Sequence, residues 1–150
     1  METFVQVATL LAAAVNIAAA GVGGLRWYRV EQSVLAWRLI RVGQATGALL
    51  AVVAGVAFLG GDEPDDGLLW LYLLLPIPVS FVAEQLRAVS AQTVLDDRGL
   101  PDSDAMRALP EETQRSIVVQ ILRKELGVMT LGAFVVAFLA LRAWGVTDGL

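Results

Sequence analysis

The sequence predicts an all-α membrane protein, a four-transmembrane-helix bundle with both termini outside and the third and fourth helices extended on the cytosolic side. Three observations predict it. Of 150 residues, 57% are hydrophobic and 17% charged, a balance outside that of ordinary soluble domains. Four apolar stretches approach the roughly 20 helical residues needed to cross a hydrocarbon core about 30 Å thick. The cations gather around the first and third connections and avoid the second, which is the pattern that orients a multi-pass chain.

The first span, about 4–25, runs from Phe4 to Leu25 with only Gln6, Thr9 and Asn16 as polar interruptions. Glu2 precedes it and Arg26 and Arg29 follow, the reverse of a secretory leader, so an uncleaved span with its amino terminus outside is expected. The second, about 37–59, has Arg38 and Arg41 at its start. The third, about 68–90, is apolar from Leu68 to Ala83 apart from Ser80 and continues as amphipathic sequence to Leu95. Pro76 and Pro78 remove two backbone donors inside it, which predicts a kink, or else a discontinuous helix whose freed carbonyls meet an ion.

The fourth span, about 120–143, is apolar from Leu126 to Leu141 apart from Thr130. Its helix is expected to begin at Pro110, with Glu111 and Glu112 facing the positive end of the dipole and Glu111 pairing with Arg115. Ahead of it, a cytosolic loop of about 96–110 is rich in turn formers, with a short helix near Ser103 to Leu109. Ile117, Val118, Ile121 and Leu122 lie opposite Arg115, Gln120, Arg123 and Lys124; this face is expected to meet lipid, or alternatively a partner helix.

Charge and aromatic residues agree on orientation. Arg26, Arg29, Arg38 and Arg41 flank the first connection and Arg87, Arg98, Arg107, Arg115, Arg123 and Lys124 the third, leaving only Arg142 elsewhere. The second connection, Gly60 to Gly67, holds Asp62, Glu63, Asp65 and Asp66 and no cation; without EF-hand spacing it reads as a solvated turn. Trp27, Tyr28 and Trp37 mark the cytosolic interface and Trp70, Tyr72 and Trp144 the outer one.

Two rows of small residues predict where helices meet, since association in lipid depends on close backbone approach. The first span carries Ala8, Ala12, Ala20 and Gly24 with Asn16 in the middle place, and the second Gly43, Gly47, Ala51 and Gly55. The rows are expected to face each other in a hairpin, or to form the seam of a homodimer.

Counting about 1.5 Å per residue from the outer aromatic belt places Asn16, Ser80, Gln44, Thr130 and Glu84 in a layer about 18 to 24 Å deep, with Arg41 near 27 Å and Arg87 beyond. A carboxylate at that depth is expected to be protonated, paired with a cation such as Arg41 or Arg87, or bathed by water from the cytosol, and Glu84 is such a group. The cluster either holds an ion, proton or head group, or fixes helix register. The opposite half, Val52 to Leu59, Leu68 to Leu75 and Phe134 to Leu141, has almost no polar side chain, which argues against a simple channel.

There is no cysteine and no histidine, which removes disulfides, thiolates, imidazole acid–base work and conventional zinc and haem sites. Walker, dinucleotide, nucleophile-elbow and nucleic-acid patterns are missing too. No catalytic residue, metal, cofactor or nucleic-acid partner is therefore expected. What remains is a non-enzymatic packing or accessory protein of the bacterial inner membrane. Its expected contacts are the bilayer, anionic lipid at the cytosolic face, and a second copy or another membrane protein. An oligomeric conduit using Glu84 is the alternative, and a lipid-modifying enzyme at the inner interface a weaker one.

Overall fold

The computed structural model describes residues 2–61 and 67–147. The acidic cluster Asp62, Glu63, Asp65 and Asp66 lies outside them. Seven helices follow in order: α1 (Glu2–Arg29), α2 (Val34–Leu59), α3 (Gly67–Leu74), α4 (Pro76–Ala88), α5 (Ser90–Asp97), α6 (Ser103–Arg107) and α7 (Glu111–Thr147). Four stretches are long and apolar enough to cross a membrane: Thr3–Arg29, Val34–Leu59, Gly67–Ala88 and Glu111–Val146.

The helices overrun their apolar runs at the basic end. Helix α1 continues past Leu25 to Arg29 and closes with two backbone bonds, Val30 N to Trp27 O at 3.2 Å and Glu31 N to Arg26 O at 3.0 Å. This is the Schellman pattern, which places a left-handed residue just past the helix. Here that residue is Val30, at φ 57°, where a β-branched side chain is strained. Ser33 then caps α2, its hydroxyl accepting from Ala36 N at 3.2 Å, which is the usual work of serine at that position.

Pro76 and Pro78 break the third pass at Leu75, between α3 and α4. Neither proline can donate to the carbonyls of Tyr72 and Leu74 four residues back. The ladder resumes on both sides, with Leu75 N to Leu71 O at 3.0 Å and Val79 N to Leu75 O at 3.1 Å. The result is a kink with one intervening residue.

A second break, at Val89, was not expected from sequence; φ −91° and ψ 0° there separate α5 from α4. Ser90 Oγ donates to Leu86 O and Thr93 Oγ1 to Val89 O, both at 2.8 Å, and such back-bonding hydroxyls bend helices. Helix α5 then lies against α7. It ends in another Schellman motif at Gly99, φ 67°, with Leu100 N reaching Leu95 O at 2.9 Å. Asp102 caps α6 by accepting from Ala105 N at 2.8 Å. Pro110 stands one place ahead of α7, and its carbonyl accepts from Gln114 N at 3.0 Å. The expected Glu111–Arg115 pair is present at 3.8 Å.

Helix α7 has 37 residues, about 55 Å of rise and well beyond a hydrocarbon core. Along it pack α1, α4, α3 and α5, while α2 lies chiefly against α1. Two apolar clusters fill the spaces between the long helices. One, around Ala12, Leu50, Leu73 and Ala140, lies toward α3; the other, around Ala19, Ile40, Met129 and Ala133, lies toward the basic end. Alanine dominates both because the axes run close. At Gly132, a methyl group would come within 2.9 Å of Ala83 Cβ.

A third, smaller cluster joins Val94 and Leu95 of α5 to Ile117 of α7, with Leu100, Met106, Leu109 and Ile121 beside them. This revises the reading of the Ile117–Leu122 face. Ile117 is buried by the chain's own α5–α6 segment, while Val118 stays exposed. Periodicity identified the face, but which surface covers it depends on the turn at Val89.

Candidate functional site

Helix α2 presents Arg41 and Gln44 one turn apart, and α4 presents Glu84 and Arg87 at the same spacing, which puts each pair on one helix face. The four side chains meet. Glu84 Oε1 accepts from Arg41 Nη1 and from Gln44 Nε2, the latter at 3.0 Å, and Glu84 Oε2 accepts from Arg87 Nε at 2.8 Å. Arg41 Nη1 also donates to Gln44 Oε1 at 3.0 Å, closing the ring. The group is partly open to its surroundings, with the Glu84 side chain 27% exposed, Arg87 32% and Arg41 53%.

Two guanidiniums against one carboxylate leave a single excess positive charge. Each also keeps donors in reserve: a guanidinium has five N–H groups, and among the described residues Arg41 uses only Nη1 and Arg87 only Nε. Charge-assisted bonds of this kind tie α2 to α4 beside the apolar cluster that holds Ile40 and Ala83.

Asn16 belongs to a separate junction. Fully buried on α1, its Nδ2 donates to Ala12 O at 2.8 Å and to Gly43 O at 3.1 Å, with Thr46 Oγ1 at 3.5 Å. It therefore rivets α1 to α2. A methyl group on Gly43 would lie 2.6 Å from Asn16 Oδ1, so only glycine permits the contact. Between this junction and the charged ring is a cavity of about 10 Å³, lined by Asn16, Gln44 and Ser80 among apolar residues, room for about one water. Gln44 is common to ring and cavity.

Thr130 sits apart from both. Its hydroxyl is buried without a hydrogen-bond partner and faces Gly23 of α1. The expected single layer is thus three groupings: Arg41, Gln44, Glu84 and Arg87 bonded together; Asn16 and Ser80 reaching them only through the shared cavity; and Thr130 directed elsewhere. Depth arithmetic gives height along a helix, and Thr130 differs in direction around it.

Of the small-residue rows, Ala12, Gly43, Gly47 and Ala51 are buried and Ala8, Ala20, Gly24 and Gly55 half-buried. Asn16 and Gly43 face each other. Gly47 points toward Pro76 and Val136, Gly24 toward Thr130, and Gly55 has nothing within 4 Å of an added methyl. Because α1 is held by both α2 and α7, its covered surface is wider than one row and includes Thr9, Ala13, Ala19 and Gly23.

Sequence reasoning missed Thr46, and two contacts at the basic end. Arg26 at the end of α1 pairs with Glu31 in the first connection. The Arg123 guanidinium stacks 5.0 Å from the Trp27 ring centre, an arrangement that needs the α1–α7 pairing to be known. At the far end Phe58 and Trp70 meet edge to face at 5.1 Å, and Arg142 lies 6.0 Å from the Tyr72 ring centre. Among the described residues no three His, Cys, Asp or Glu side chains converge as a metal site.

Fold and site together describe an all-helical protein with four helical stretches long and apolar enough to cross a membrane, two of them joined by a charged ring near the basic end. No known protein family, curated protein or solved structure matches the chain.

Proposed function

We propose that this is a non-enzymatic, multi-pass protein of the bacterial inner membrane, acting as a packing or accessory subunit through a polar site at the inner leaflet. In this reading it forms a four-helix bundle with both termini outside, and α5, α6 and the start of α7 make a cytosolic surface. The carrying observation is the Arg41–Gln44–Glu84–Arg87 ring, which is partly open on the α2–α4 side. The partly exposed guanidiniums leave donors that a neighbouring group can take. Exposed Phe81, one turn from Glu84 on α4, offers apolar contact to a neighbouring helix.

The natural chain has no cysteine, so single-cysteine cross-linking in native membranes is clean. Ala45→Cys and Phe81→Cys, beside the ring, are expected to trap a second copy or another membrane protein, and Leu131→Cys on the exposed side of α7 is not. A monodisperse monomer that yields no adduct from either ring position would refute the proposal.

One observation favours a second reading. Gln44 links the ring to the cavity at Asn16 and Ser80, extending polar groups inward as an oligomeric conduit would need. Proteoliposome flux tests it. No flux of cations, anions or protons, or flux unaltered by Glu84→Gln and Arg41→Ala, removes that mechanism.

A further inference from the structure

We infer that the unused donors of Arg41 and Arg87 receive the phosphate of an anionic lipid, with Glu84 a built-in competitor for the same guanidiniums. The inference rests on the inner-leaflet reading above and names the ligand of that site. Among the described residues Nε and Nη2 of Arg41 and both terminal nitrogens of Arg87 have no hydrogen-bond partner, because the ring engages Arg41 through Nη1 and Arg87 through Nε. Forked guanidinium donors match the spacing of phosphate oxygens. The single excess positive charge of the ring complements the single negative charge of a phosphodiester.

Position favours a lipid over a soluble phosphate. By rise along the helices, Glu84 and Arg41 fall about 24 to 27 Å from the outer belt, just inside the far boundary of a core about 30 Å thick. From there long arginine stems reach head-group phosphates while their methylenes stay in hydrocarbon. Phe81 on α4 is 63% exposed, and Val42 on α2 is exposed as well. These give acyl chains apolar contact beneath a phosphate held at the ring, contact that free phosphate cannot use.

The test is native mass spectrometry of the full chain in neutral detergent, titrated with phosphatidylglycerol or phosphatidylcholine. One tightly held phosphatidylglycerol is expected, preferred at least about tenfold, or about 1.4 kcal/mol. Arg41→Gln and Arg87→Gln should each weaken it about tenfold, whereas Arg38→Gln, which removes the same charge from the same end of α2, should leave it unchanged. Glu84→Gln should strengthen retention several-fold by freeing the guanidiniums; a carboxylate that merely braces the site would give a decrease, which overturns the competitor role. If Arg41→Gln lowers the melting temperature sharply, Arg41→Lys and Arg87→Lys take its place: charge is kept, the fork is lost, and undiminished retention in both overturns the forked contact.

Equal retention of the two lipids, or an equal loss in Arg38→Gln, overturns the site. Displacement of the lipid by millimolar inorganic phosphate assigns a soluble ligand and overturns the lipid. An Arg87-dependent dimer without retained lipid assigns the donors to a second copy, with the same result. Cross-linking through Ala45→Cys that persists without lipid preference discards this inference alone and leaves the association reading standing.

Discussion

Replacing Glu84 by leucine removes the acceptor of three hydrogen bonds, from Arg41, Gln44 and Arg87. Interhelical hydrogen bonds measured within membrane proteins average about 0.6 kcal/mol each, so the two from α2, with about 0.5 kcal/mol for the i,i+3 pair to Arg87 inside α4, are together worth about 2 kcal/mol. The partial exposure of the ring, 27% at Glu84 and 53% at Arg41, argues against the larger values of fully buried pairs. The expected loss for Glu84→Leu is therefore about 2 kcal/mol, read from SDS-titrated unfolding in mixed micelles. A double-mutant cycle isolates the pair: in an Arg41→Leu background the Glu84→Leu loss should shrink by about 0.5 to 1 kcal/mol. A coupling indistinguishable from zero, with Glu84→Leu no worse than a lipid-facing change such as Phe81→Leu, would refute the idea that the ring joins α2 to α4.

Three further outcomes follow from particular contacts. Val30→Gly relieves a left-handed β-branched residue, φ 57°, and should stabilise the chain by about 1 kcal/mol in the same unfolding assay. Thr130→Val replaces an unpaired buried hydroxyl with a methyl of like size and should raise stability by about 1 kcal/mol; a loss instead would mean the hydroxyl has a partner in the membrane. Gly43→Ala drives a methyl to within 2.6 Å of Asn16 Oδ1 and should cost about 1 to 3 kcal/mol, with an Asn16→Ala background recovering part of it.

How much was legible in the sequence depended on the kind of information each feature needs. The four spans were readable because length and apolarity belong to single segments, and Phe4 to Leu25 needs no knowledge of its neighbours. The meeting of Arg41 with Glu84 was one of the states the sequence left open for that carboxylate. Two long side chains at matching depth on neighbouring passes have few other partners, and unpaired charge in hydrocarbon is costly. Direction around a helix was not readable, which is why Thr130 was grouped with Glu84 although it faces Gly23. The bend at Val89 was equally hidden: Ser90 and Thr93 bond back to Leu86 and Val89, but serine and threonine occur in many unbroken helices. Once that bend is made, α5 covers Ile117, so an error at one residue changed the expected surroundings of a face nearly 30 residues further on.

The most direct test of the central claim is the sidedness of the connections. Single cysteines introduced as Gln32→Cys, Asp65→Cys and Arg107→Cys can be treated with a membrane-impermeant maleimide in intact and in lysed cells. Four crossings with both basic connections inside predict labelling of the Asp65 position in intact cells, and of the Gln32 and Arg107 positions only after lysis. Labelling of the Asp65 and Arg107 positions from the same side would contradict it.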